Sequence, residues 1–277
     1  MNRLIVIAHL TLQEALRRRV LLAALLGGLA FLILYAVGFH FIARDLAKNS
    51  VTLIERRVTL NAITLAGLYA VNLLTVMSAV LLPVDALSGE IASGSIQTLA
   101  AKPLRRSEIV LGKWLAYVAV VVGYMAGMVG GLLLVARTIG HFSPPGLTAA
   151  LPLLLLEAVL LVSVSIAGGT RLSTVTNGMM AFGLYGLAFV GNWVEQIGTF
   201  INNQAARNVG SVASLLMPAE AMWQRAAWLM QPAIMRDLHA TPFSPASVAS
   251  PAMIAWAGLY TLATVVIAVR AFAKRGL

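Results

Sequence analysis

Two long stretches of the chain, Val20–Phe39 and Val58–Val84, contain no charged residue. A helix rises 1.5 Å per residue, so about 20 apolar residues cross the roughly 30 Å of a bilayer's hydrocarbon. Trp114–Ala136, Leu172–Val194 and Pro251–Val269 are likewise uncharged, and Leu147–Gly169 carries a single charge, Glu157. These runs predict an all-α integral membrane protein with six transmembrane helices, over about 20–39, 58–84, 114–136, 147–169, 172–194 and 251–269. One transmembrane domain accounts for residues 1–277, and no internal repeat is evident. The composition agrees. Of the 277 residues 60% are apolar and 11% charged, against about 25% charged in soluble domains. A soluble chain this apolar would lack the polar groups to cover its surface.

The first run is read as a retained helix. Its 20 apolar residues exceed the roughly 7–15 of a signal-peptide core, and no small-x-small site follows Phe39. Residues 3–19 ahead of it read as an interfacial helix ending in Arg17, Arg18 and Arg19. The net charge of +10 sits mostly between apolar runs, which points to membrane topology rather than nucleic acid. With both termini cytoplasmic, 12 Lys and Arg lie inside and 8 outside. The clusters Arg17–Arg19 and 102–106 fall on the inner side. The stretch 195–250, with Pro218, Pro232, Pro242, Pro245, Trp223 and Trp228, then reads as an outer loop forming a helical cap before the last span.

Much familiar chemistry is missing from the sequence. Cysteine is absent, which excludes disulfides, zinc–thiolate sites and Cys nucleophiles. The single Gly-Lys, Gly112-Lys113, has Ser107 and Trp114 where a P-loop needs Gly and Ser or Thr. Neither G-x-S-x-G nor H-E-x-x-H occurs. The chain is therefore not expected to be an enzyme by itself.

The most informative stretch is SGEIASGSIQTLAAKPLRRSEIVLGKW, from Ser88 to Trp114. It runs from Glu90 through Gly94-Ser95, Leu99, Lys102-Pro103-Leu104 and Arg106 to Gly112-Lys113. In order and placement, after the second of six expected spans, it resembles the cytoplasmic loop of ABC-2-type transporter permeases. The resemblance implies the permease subunit of an ABC transporter, an exporter driven by a separate ATPase subunit through the 88–108 loop. Residues 90–100, a helix of about 16 Å stopped by Pro103, would be the coupling helix. Glu90, Gly94, Ser95, Leu99, Arg105 and Arg106 would serve the coupling. The partner ATPase would bind ATP and Mg, and this chain no cofactor. A second copy of the chain, surrounding lipid and a bacterial cytoplasmic membrane complete the implied setting. One branch of that family is linked to copper-enzyme maturation, including the nitrous-oxide reductase permease.

Asn61, Thr64, Asn72 and Thr75 share one face of the second span at 100° per residue. Polar side chains in lipid need partners, so this face meets protein or water. It lines a substrate path or bonds neighbouring helices. Glu157 is costly in a membrane core, by about 2.5–3.5 kcal/mol on insertion scales. It is a substrate or proton site, or a carboxyl bonded to neighbouring helices. As a proton site it would suit a rival function, an ATP-independent carrier or scramblase. Gly123, Gly127 and Gly131 fit a small-xxx-small packing face. Met217, Met222, Met230, Met235 and His239 offer soft ligands of the kind Cu(I) takes, or fill irregular gaps.

Overall fold

The computed structural model describes residues 3–49, 51–94, 105–238 and 248–275. Away from water a backbone must bond to itself, and every element described among these residues is a helix. In chain order they are α1 (Arg3–Leu16), α2 (Arg19–Lys48), α3 (Leu53–Leu81), α4 (Ser88–Ala92), α5 (Arg106–Gly140), α6 (Leu147–Gly169), α7 (Thr174–Phe200), α8 (Gln204–Leu216), α9 (Ala219–Leu229), α10 (Ala233–Leu238) and α11 (Pro251–Ala273). Five of these, α2, α3, α5, α6 and α11, are long and apolar enough to cross a membrane. The expected 172–194 span corresponds to α7. Its 27 residues suffice in length, but asparagines and glycines thin its apolar character.

The helix ends follow local chemistry. Thr52 caps α3 with a reciprocal box: its hydroxyl accepts from Glu55 N at 3.2 Å, and Glu55 Oε2 accepts from Thr52 N at 2.9 Å. Ser173, Ser250 and Asn203 cap α7, α11 and α8 through their side chains. The observed helices outrun the apolar runs where charged residues continue the turn. Thus α2 extends to Lys48, and α5 begins at Arg106 and ends at Gly140. At its far end α3 stops at Leu81, short of the expected 84, where Pro83 enters a series of turns.

The core is built around α3 and α6. Leu65, Leu68 and Val71 of α3 and Leu160, Leu161 and Val162 of α6 are fully enclosed. By contrast α2 and α11 expose long apolar faces, including Leu26, Leu29, Ile33 and Leu34 on one and Leu259, Leu262 and Ile267 on the other. The helix expected at 3–19 is α1, lying along α5. Ile7, Thr11 and Ala15 face inward, while Ile5, Val6, Leu10 and Leu16 stay exposed. That division suits a helix at an apolar–polar boundary.

Much of the described part of the 195–250 stretch is helical. Among its described residues are α8, α9 and α10, and α8 returns along α7. Gly198 meets Ala206, Glu195 meets Gly210, and Gly191 meets Ala213. As one number falls the other rises, so the two helices are antiparallel. The end of α8 therefore lies beside the middle of α7. Then α9 runs along α3, with Trp223 against Tyr69 and the Met230 carbonyl accepting from Asn61 Nδ2 at 2.9 Å. The glycine face expected on the third span is only partly used. Gly131 meets Leu32, while a Cβ at Gly123 or Gly127 would meet nothing within 4 Å.

A Cβ at Gly112 would lie 2.8 Å from Ile7 Cγ2 and 3.2 Å from the Leu4 carbonyl oxygen. Gly112→Val should therefore cost about 1–3 kcal/mol through overpacking. Its mark should be faster hydrogen exchange across residues 3–16. Gly123→Ala, placed in open space, should leave both exchange and the thermal midpoint unchanged or slightly improved.

Candidate functional site

Of the residues expected to serve ATPase coupling, Glu90 and Gly94 lie at α4, just past the end of α3. This junction is tied from three sides. Between α1 and α2, Arg18 donates to Asp85 and pairs with Glu14 at 2.5 Å. From α5, Lys113 Nζ reaches Glu90 Oε1 at 2.5 Å. From α7, Thr174 Oγ1 and Ser88 Oγ lie 2.9 Å apart, and Asn177 Nδ2 donates to the Val84 carbonyl at 2.9 Å. The same Asn177 amide donates to the Ser165 carbonyl of α6 at 2.9 Å. Any displacement of α4 is thus felt at once by the α1–α2 corner, α5 and α7.

The expected residues take different parts in this joint. Glu90 is an internal strut, bonded across to Lys113 of α5. Arg106 of α5 donates to the Ala273 carbonyl at 3.1 Å and to that of Arg275, and Arg275 donates to the Thr170 carbonyl. These bonds fasten the ends of α5, α6 and α11 together. The Arg105 amide donates to Glu108 Oε2 at 2.8 Å where α5 begins, and its residue is exposed. The single helix expected over 90–100 is interrupted: α4 closes at Ala92, and Gly94 turns the chain with φ +72°. Glycine takes that left-handed conformation without steric cost. Ser95 and Leu99 lie outside the described residues.

The polar stripe of α3 faces the interior of this chain. Asn61, Thr64, Asn72 and Thr75 are all buried. Thr64 and Thr75 return their hydroxyls to the carbonyls of Leu60 and Val71, at 2.7 and 2.8 Å. The two asparagines reach across helices: Asn61 to Met230, and Asn72 to Glu157 Oε1 at 3.1 Å. Glu157 is 1% exposed.

Glu220 completes this interior and was not singled out from the sequence. It is 2% exposed and accepts from Tyr185 at 3.3 Å and from Asn192 Nδ2 at 3.1 Å. Asn192 in turn accepts from Gln224 and, at 3.4 Å, from Gln196. A helical reading of 219–229 would have placed Glu220 on one face with Trp223 and Ala227, both buried. Met217, Met222, Met230 and Met235 are buried too, the first three within the main apolar core. His239 lies outside the described residues.

The model of a family described as ABC-2 family transporter protein matches residues 5–277, and the chain belongs to that family. A search of curated proteins returned no match. Membership makes the chain a multi-pass membrane permease of an ABC transporter, a family whose members generally work with an ABC ATPase, and not an enzyme by itself.

The Glu90–Lys113 strut can be tested by removing one partner at a time. The Lys113 side chain is 4% exposed and that of Glu90 19%. Stranding a buried charge costs about 3–5 kcal/mol. Glu90→Ala strands the ammonium, whereas after Lys113→Met the carboxylate can turn toward water. Glu90→Ala should therefore lower the unfolding midpoint in detergent more than Lys113→Met. The exchanged pair Glu90→Lys with Lys113→Glu should recover part of the loss.

Proposed function

We propose that this family member is the membrane-spanning half of an exporter, driven by a separate ATPase that pushes on α4 and the residues following it. The observation that carries this reading is the family match over 5–277. Its mechanical support is the three-way fastening of the junction between α3 and α4 through Arg18, Lys113 and Thr174 with Asn177. A push delivered at one short element needs rigid joints to become a helix movement, and hydrogen-bonded charge pairs are the stiff kind.

In this reading α7 crosses the membrane as a sixth span, and both termini face the cytoplasm of a bacterial inner membrane. Two copies of the chain pair, and the ATPase subunits hold ATP and Mg. Closure of the ATPases tilts α3 and α5 with α4. The hairpin of α8 and α9, on the far side, acts as the lid. The α3 stripe bonds helices together rather than lining a path, a role supported by its buried, intrachain partners. The buried methionines of the hairpin serve as apolar filling, and their packing lends the copper-linked branch no support.

Ala92 and Ser93 are exposed on the outer surface of the α4 turn. Ala92→Arg should leave the thermal midpoint of the isolated chain within about 0.5 kcal/mol of the parent, as surface substitutions do. Co-purification with a co-expressed ABC ATPase partner, and ATP-driven transport in proteoliposomes, should fall together. Unimpaired assembly with this variant and with Gly94→Trp would speak against α4 as the docking element.

A further inference from the structure

Two carboxyl groups are enclosed in the bundle with no basic partner described for either. Glu157 projects from the middle of α6, and Glu220 sits in the first turn of α9. The stretch of α3 that bonds Glu157 also meets α9: Asn72 donates to Glu157 at 3.1 Å, and one turn earlier the Tyr69 ring packs on Trp223 at 5.3 Å, one turn from Glu220. Around them α3 contributes Tyr69 and Asn72, α7 contributes Tyr185 and Asn192, and α9 adds Gln224. All of these are neutral donors or rings. The charged groups of the surrounding helices are engaged or placed elsewhere. Arg225 of α9 donates to the Ala249 carbonyl at 3.2 Å and lies over Trp228, and Glu195 of α7 packs on Gly210. Glu55, Arg56 and Arg57 stand at the start of α3, Arg270 of α11 and Arg137 of α5 are in their last turns, and Lys113 is engaged by Glu90. On α8, Arg207 bonds Asn202 at the far end of the hairpin. Glu157 Oε2 is buried with no hydrogen-bond partner.

We propose that Glu157 and Glu220 form a proton-binding site that latches the α8–α9 hairpin into the bundle, so that losing the proton releases the hairpin. The geometry gives the reason. The site is split between a core helix and the returning arm of the hairpin. Opposed negative charges in a medium of low dielectric repel strongly unless a cation or proton lies between them. The donors present, two asparagine amides and a tyrosine hydroxyl, can satisfy one carboxylate but neutralise none. Water reaches the pair only when α9 leaves its seat, so ionising the pair favours unseating.

The direction with pH follows from Glu220, which belongs to the hairpin and not to the five spans. Burial pushes its carboxyl up to about 7. A carboxyl raised by its folded surroundings supports those surroundings while it is protonated. The latch is therefore strongest in acid, below the ordinary carboxylate range, and weakens as pH rises through about 7. This property needs only the permease chain, and it stands whether or not α4 is where an ATPase docks.

The test uses the full chain in lipid nanodiscs, without ATPase, followed by hydrogen exchange corrected for intrinsic rates. Between about pH 5.5 and pH 8, protection across residues 204–229 should fall on the order of tenfold in the parent, relative to α11 as internal reference. Glu220→Gln removes the titrating group and should flatten that dependence while keeping the hairpin seated at both extremes. Should this variant fold poorly, Glu157→Gln leaves Glu220 in place and should weaken the dependence severalfold. A flat profile in the parent overturns the proposal, as does an undiminished profile in Glu220→Gln. An unchanged profile in Glu157→Gln overturns the pairing.

Discussion

A polar group removed from water must find its partner within the protein, and this requirement organises the whole bundle. The apolar runs bond their own backbones and become helices. The few polar side chains that enter the interior are then forced onto facing surfaces. Asn72 meets Glu157, Asn61 meets the end of α9, and Asn177 holds the carbonyls of Val84 and Ser165 together. Each of these bonds joins segments far apart in sequence, in surroundings that offer no competing water. They fix which helix lies beside which, a choice that apolar packing alone leaves degenerate.

The same requirement separates two polar regions by purpose. Around α4 the partners are mostly charged, at the ends of helices, and partly within reach of water. In the interior they are amides, hydroxyls and two carboxyls, enclosed on every side. Charged struts resist displacement where force would be delivered. Neutral donors around enclosed acids allow the seating of a segment to depend on protonation. One chain thus holds a stiff joint at one end and a conditional one in its middle.

What could be read from the sequence divides along physical lines. The expected run Leu147–Gly169 coincides with helix α6, since an apolar stretch broken only by Glu157 is bounded there by glycines at 146 and 168–169. Helices flanked by charged but helix-forming residues, α2 and α5, outrun the apolar runs read from the sequence, because hydropathy marks the apolar part of a helix and not its ends. The α4 region was found through its order of residues, yet the role of Glu90 was not legible. The lysine that engages it lies 23 positions away, and such pairing depends on how α5 packs. Glu220 was overlooked for the opposite reason. Four prolines in 195–250 suggested a loop, and a loop reading hides the helical face that turns Glu220 inward. The third-span glycines show the limit of motif spacing: the pattern was present, but only Gly131 meets another helix of this chain.

The seam between α7 and α8 is lined by Gly191, Gly198, Ala206, Gly210 and Ala213. Each glycine there receives a side chain of the facing helix: Glu195 rests on Gly210, Ala213 on Gly191 and Ala206 on Gly198. Side chains seated in facing gaps resist gliding along the common axis as well as prising apart, because either motion drives them against backbone or strips their contacts. Helices α7 and α8 are therefore built to move as one body, and any rearrangement of this region falls to the joint between α8 and α9.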